Sequence, residues 1–163
     1  SRGVPEKEIS FFGLLGDMIY VNYGILDNDS NGTITKTETD NFTALNTSGV
    51  NSLDKAIGSI STKYWDEKYW DQIKNLKNEF AEVKSYRCIG YEYVDIGLGQ
   101  RNFAILSKLS PWDHIPGVLF VREAGGSDID FDHQPYNFTK QNNNLIVGNS
   151  KEFNLQILNK LGV

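Results

Sequence analysis

The chain has 163 residues, 39% hydrophobic and 23% charged, enough to bury one globular core without disulfides or a structural metal. Its 16 basic and 21 acidic residues leave a net charge of −5 with no Lys/Arg cluster, which argues against nucleic acid as a partner. The single cysteine, Cys88, excludes an internal disulfide framework and suits a reducing, cytoplasmic compartment, and the longest apolar runs, such as 117–121, fall far short of the roughly 20 residues that a membrane span requires.

The chain opens on Ser1 and its only methionine is Met18, so the native start is expected upstream. The first ten residues are polar and read as a frayed end. From Phe11 to Tyr23 the chain is apolar and punctuated by glycine, with Ile19, Val21 and Tyr23 alternating against Tyr20 and Asn22. Asn31-Gly32 is a strong tight-turn signal, and the β-branched stretch Thr33–Thr39 after it predicts a hairpin there. Residues 40–54 form a Ser/Thr/Asn-rich connection. Ala56–Thr62 reads as a short strand. From Asp66 onward Tyr69, Trp70, Ile73, Leu76 and Phe80 fall at helical spacing. Gly90–Leu98 predicts a second helix, Asn102–Leu106 a buried strand, and Trp112–Ala124 a third helix stopped at Gly125-Gly126. Asp128–Phe131 and Leu145–Val147 are short strands, and a last helix is opened by Ser150 with Phe153, Ile157, Leu158 and Leu161 inward. Strands alternating with helices point to an α/β fold.

The densest chemical signal runs from Ser110 to Gly126. Pro116 lacks an N–H and belongs near a helix start, which puts that start near Asp113. On the residues alone, Asp113 is either an N-cap accepting backbone hydrogen bonds or a carboxylate offered to a hard cation at a sheet edge, and caps are the commoner case. His114 has no second ligand near it in sequence and reads as structural. Cys88 has only Arg87 as a basic neighbour, which argues against a thiol nucleophile. Trp65 and Trp70 with Tyr64 and Tyr69 form either a ligand platform or, more often at such spacing, a core or interface.

Pro111-Trp-Asp113, then Gly117-Val-Leu119 and Glu123-Ala-Gly-Gly126, resembles the C-terminal signature of the inositol monophosphatase family of magnesium-dependent phosphatases. Arg87-Cys-Ile-Gly90 is similar to the family's Arg-x-x-Gly segment, Ile129-Asp-Phe-Asp132 with Pro135 to the strand and turn after the double glycine, and Ile146-Val-Gly-Asn149 to its last strand. The resemblance is good from about Ala56 to the end. It implies that Asp113 is a Mg2+ ligand and that Gly90, Tyr91 and Glu92 line the substrate pocket. The family's Glu-Glu and Asp-Pro-x-Asp-Gly-Thr segments are absent, so the resemblance implies a C-terminal fragment with no catalytic residue of its own, inactive when alone. Inositol-selective members carry a Glu seven residues before the Asp, where this chain has Leu106, and small residues where it has Tyr91-Glu-Tyr93. Inositol phosphate is therefore not the expected substrate. Glu92 either contacts a different one or caps and pairs within its helix.

A second motif lies at Asp27–Glu38. Asp27, Asp29, Asn31, Thr33, Thr35 and Glu38 stand at EF-hand loop positions 1, 3, 5, 7, 9 and 12, with Gly32 at position 6. Neither flank is a good helix former, so a hairpin turn accounts for the segment equally well. The expectations are then an α/β fold with a mostly parallel sheet flanked by helices, residues 1–55 forming a hairpin and linker region and residues 56–163 a C-terminal α/β domain. The function expected is part of a Mg2+-dependent phosphomonoesterase acting on a small phosphorylated metabolite, a sugar or polyol phosphate, with a homodimer among the assemblies open to it. The alternatives are a calcium-binding module on loop 27–38 and a non-catalytic, phosphatase-like binding subunit.

Overall fold

The structure, a computed structural model, describes residues 9–15, 18–23, 43–140 and 144–163, which fall into two compact units, Ser1–Leu45 and Asn46–Val163. In the first unit, β1 (Ile9–Leu15) pairs antiparallel with β2 (Met18–Tyr23), which also pairs with the short β3 (Thr43–Ala44). Ile9 and Ser10 are therefore strand, where the polar opening predicted a frayed end; pairing along β2 outweighs local composition. The predicted Asn31-Gly32 hairpin and the whole loop 27–38 lie outside the described residues.

The second unit is a five-stranded sheet in the order β5-β4-β6-β8-β7 among the described residues. Strand β4 is Ile57–Ile60, β5 Glu82–Val83, β6 Phe103–Ser107, β7 Ser127–Asp130 and β8 Asn144–Gly148. β4 runs parallel to both β5 and β6, whereas β8 runs antiparallel to β6 and to β7. Four strands thus share one direction and β8 alone is reversed, which makes the sheet mixed.

Four helices cover it: α1 (Trp70–Leu76), α2 (Ile89–Gly97), α3 (Pro111–Glu123) and α4 (Lys151–Leu161). Phe103, Ile105, Ile129 and Ile146 join Ile73, Leu76, Phe153, Ile157, Leu158 and Leu161 in one buried cluster, so α1 and α4 share one face of the sheet. Successive strand residues point to opposite faces, and Ala104, Leu106, Leu145 and Val147 are as deeply buried on the other, under α2 and α3. Ser150 caps α4 by accepting from the Phe153 N–H, and Gly162 ends it in the left-handed conformation, φ 72°.

Two predicted helices differ in detail. The helix expected from Asp66 is α-helical only over 70–76, with 3₁₀ turns at 67–69 and 77–79. Asp66 makes no side-chain cap bond, and the buried pair Ile73 and Leu76 is three residues apart, a spacing that tight turns serve as well as an α-helix. The third helix starts earlier than Pro116 implied. Ser110 is the N-cap and Pro111 the first helical residue, which puts Asp113 inside the first turn rather than at the cap. Pro116 then lies in the second turn, where its missing N–H deprives the Trp112 carbonyl of its usual donor. At the other end Gly125 stops the helix with φ 86°.

Residues 46–55 are held to the sheet by buried amides. The Asn102 side chain accepts from the Ile57 N–H at 2.7 Å and donates to the Ser48 hydroxyl, and Asn149 donates to Ser48 and to the Val50 carbonyl. The helices α2 and α3 cross closely: a Cβ built on Gly117 would stand 2.0 Å from the Tyr93 ring, and one on Gly97 2.5 Å from Phe120. Tyr93 is buried and tied to His114, so its ring has nowhere to retreat. Gly117→Ala should therefore lower stability by about 1–3 kcal/mol despite the higher helix propensity of alanine, because overpacking outweighs propensity. Urea unfolding of the variant checks this, and an unchanged midpoint would refute the close-packing argument.

Candidate active site

A cavity of about 350 Å³ opens at the carboxyl ends of the parallel strands β4 and β6. In open α/β sheets that end of the strands is where ligands bind. Three segments wall it: Ser61–Tyr64 after β4; Ser85, Arg87 and Cys88 before α2, with Ile89 and Glu92 of α2 itself; and Leu106–Lys108 at the end of β6, with His114 of α3 closing one side.

The walls are tied together by specific bonds. The Ser107 hydroxyl donates to the Lys63 carbonyl, and the Ser61 N–H donates to the Ile105 carbonyl at 2.8 Å. The Trp65 indole N–H reaches the Ser61 carbonyl at 2.7 Å, and its ring stacks on Phe131. Trp65 is thus a core anchor, Tyr69 meets the same Phe131 edge-on, and Trp70 is largely exposed. Of the four aromatics, Tyr64 alone lines the cavity.

Glu92 is 3% exposed. One carboxylate oxygen accepts from the Ser59 hydroxyl; the other accepts from the Ser85 hydroxyl at 2.7 Å and the Tyr86 N–H at 2.9 Å. The carboxylate therefore stitches β4, the segment before α2 and α2 itself into one wall, while still bordering the cavity. Gly90 and Tyr91, in the first turn of α2, are not among the lining residues; the space around a Cβ at Gly90 is open. Leu106 is a lining residue, so an apolar side chain occupies the position that holds a Glu in the inositol-selective pattern.

Asp113 is exposed, at the third helical position of α3, where its N–H donates to the Ser110 carbonyl. A carboxylate in the first turn faces the positive end of the helix dipole. Its neighbour His114 is buried and shares a hydrogen bond of 2.8 Å with the Tyr93 hydroxyl, which fixes the start of α3 against α2. Among the described residues there is no group of three or more His, Cys, Asp or Glu that could hold a metal ion. Asp113 is one donor, and Mg2+ takes several oxygen ligands, so the described residues do not make a magnesium site by themselves.

The cavity has a feature that no motif announced. Lys63, Arg87 and Lys108 all line it, and Lys108 lies over the Tyr64 ring with its Nζ 4.3 Å from the centroid. Four non-glycine residues among those described have positive φ, and three of them are here: Tyr64 at 65°, Arg87 at 58° and Lys108 at 56°. Such conformations cost roughly 1–3 kcal/mol each and persist where the surroundings over-determine them. Arg87 stands out in the sequence as part of a motif and as the neighbour of Cys88, whereas Lys63 and Lys108 carry one signal, their position within two residues of the ends of predicted strands.

The profile of the inositol monophosphatase family matches residues 20–162. The chain belongs to the inositol monophosphatase family. It is 27% identical over 100 residues to the inositol-1-monophosphatase of Bacillus subtilis, an alignment covering 60% of this chain and 37% of that protein. Among solved structures, an inositol monophosphatase from Zymomonas mobilis superposes with a TM-score of 0.66 at 16% identity, covering 90% of this chain and 57% of that one. The native extragenic suppressor protein suhB from Bartonella henselae gives 0.64 at 17% identity, covering 88% and 52%. At these identities the superpositions speak for the fold alone, and the chain spans about half the length of these solved structures.

Burial holds His114 below the ordinary histidine value, with the charge of Asp113 opposing. A folded-state value below the unfolded one means that the unfolded chain binds the extra proton. The stability associated with neutral His114 is therefore present above about pH 6.5 and is lost as the pH falls through the folded value. Proton NMR titration should find the His114 imidazole with a midpoint below 6.5, and His114→Gln should flatten the fall in stability below that pH. A midpoint at or above 6.5 would contradict the burial argument.

Proposed function

We propose that the intact protein is a magnesium-dependent phosphomonoesterase of the inositol monophosphatase family, acting in the cytoplasm on a small sugar or polyol phosphate. The observation that carries this reading is the presentation of Asp113: an exposed carboxylate in the first turn of α3, one residue from the His114 that closes the cavity. Asp113 would be one oxygen ligand of Mg2+, with the remaining donors supplied from outside the described residues. When bound, the ion supplies an activated water and neutralises phosphoryl charge.

The chain's own residues have separate parts in this reading. The first turn of α3 directs the positive end of the helix dipole toward an anion, while the Asp113 and His114 N–H groups both donate to the Ser110 carbonyl. Glu92 positions the segment before α2 through its bonds to Ser59, Ser85 and Tyr86 rather than holding the ion. Gly90 and Tyr91 would meet substrate at the cavity rim. Leu106 offers no acceptor to a substrate hydroxyl, and a buried hydroxyl left unpaired is costly, which supports a substrate other than inositol monophosphate.

Asp113→Asn in the full-length protein tests the reading. Ser110, not Asp113, is the cap, so stability should change by no more than about 1 kcal/mol, the size of a charge–dipole term. Turnover of a phosphomonoester should fall by at least the roughly 10–100-fold that losing a residue supporting a metal costs, and the Mg2+ requirement should rise. Near-normal turnover in magnesium titrations would end the assignment. A parent protein with no turnover at all would favour the non-catalytic binding subunit.

A further inference from the structure

The family reading calls for one phosphoryl group near the start of α3, yet the cavity beside it carries more positive charge than a single phosphate accounts for. Lys63, Arg87 and Lys108 come from three different segments and converge on it. Glu92 is the one carboxylate among the lining residues, and both of its oxygens are engaged by Ser59, Ser85 and Tyr86. Among the described residues none of the three cations forms an ion pair, in contrast to Arg101 with Asp95, Arg122 with Asp128 and Lys160 with Glu79. All three side chains are exposed, and two of the cations, Arg87 and Lys108, stand on left-handed backbone, as does Tyr64 beneath the Lys108 ammonium. Solvated surface lysines need no such backbone. Here it is held by the Ser107–Lys63 and Ser61–Ile105 bonds and by the Arg87 N–H, which donates to the Ser85 hydroxyl at 3.0 Å.

We propose that this cavity recognises a second anionic group, a phosphate or a carboxylate, on the phosphorylated substrate, with Lys63, Arg87 and Lys108 as its specificity-determining residues. The proposal rests on the phosphomonoesterase reading and deepens it: the substrate class becomes a small phosphomonoester that carries another anion. The hydroxyls of Thr62 and Ser85 border the same space and complete a polar surface suited to oxyanions. Leu106 fits this reading, because a cavity selecting a second anion has no use for the repulsion of a carboxylate there.

Cys88, exposed and itself a lining residue, serves as a reporter of occupancy that does not depend on turnover. The experiment measures alkylation of Cys88 in the full-length protein by iodoacetamide, an uncharged reagent, followed by peptide mass spectrometry at fixed ionic strength. The probes are butyl phosphate, 4-(phosphonooxy)butanoate and butane-1,4-diyl bisphosphate. The two dianchored probes should give half-protection at concentrations at least tenfold below butyl phosphate. The order between them separates a phosphate from a carboxylate as the preferred second group. Lys108→Gln and, independently, Lys63→Gln should bring the tenfold advantage below threefold while circular dichroism stays unchanged. Equal protection by all three probes, or an advantage that survives both substitutions, overturns the proposal. Either result leaves the phosphatase reading to the Asp113 experiment, because alkylation reads binding rather than hydrolysis.

Discussion

Strand β6 has neither a free edge nor a free face, and the rest of the second unit is arranged around that fact. All five of its residues are buried, with β4 bonded along one edge and β8 along the other. Phe103 and Ile105 reach the α1 and α4 layer, while Ala104 and Leu106 reach the opposite face. A strand so enclosed must satisfy its polar flanks internally. Asn102 before it holds β4 and Ser48, and Ser107 at its end holds the loop after β4. The cavity forms where β6 emerges, so its walls inherit their rigidity from the most constrained element of the fold.

Much of this was legible in the sequence because the strongest signals are local. Gly125 marks the end of α3 because its left-handed conformation is one that glycine adopts freely, and Ser150 marks the start of α4 because its hydroxyl has an N–H to accept from. Within the predicted strand Asn102–Leu106, the run 103–106 reads as buried because its side chains are all apolar. The α3 start was placed late for an equally local reason: Pro116 fits a helix opening, but Pro111 occupies that position and Pro116 is accommodated inside the helix. The segment 66–80 has helical spacing, yet the spacing cannot say whether its turns are α or 3₁₀.

The candidate site was legible where a motif covers it and opaque where loops make it. Asp113 could be singled out from its surroundings in the chain. Lys63 and Lys108 are separated by 44 intervening positions and meet only because β4 and β6 are neighbours in the sheet. Glu92 shows the opposite problem, since its sequence position leaves several roles open and only the three donors around its carboxylate reveal how it is used. Buried acceptors of this kind hold a wall in place, and a bonding pattern spanning residues 59, 85, 86 and 92 has no signature along the chain.

The three left-handed residues at the cavity set two kinds of selection against each other. Asparagine or glycine tolerates the backbone of Tyr64, Arg87 and Lys108 better than the side chains found there. A screen for thermal resistance alone should therefore drift toward those smaller residues at all three positions. Each such change would strip the cavity of a cation or of the ring beneath one. Variants hardened in this way would keep their sheet and helices and lose the charged rim, so heat tolerance and ligand discrimination in this chain should evolve as competitors rather than together.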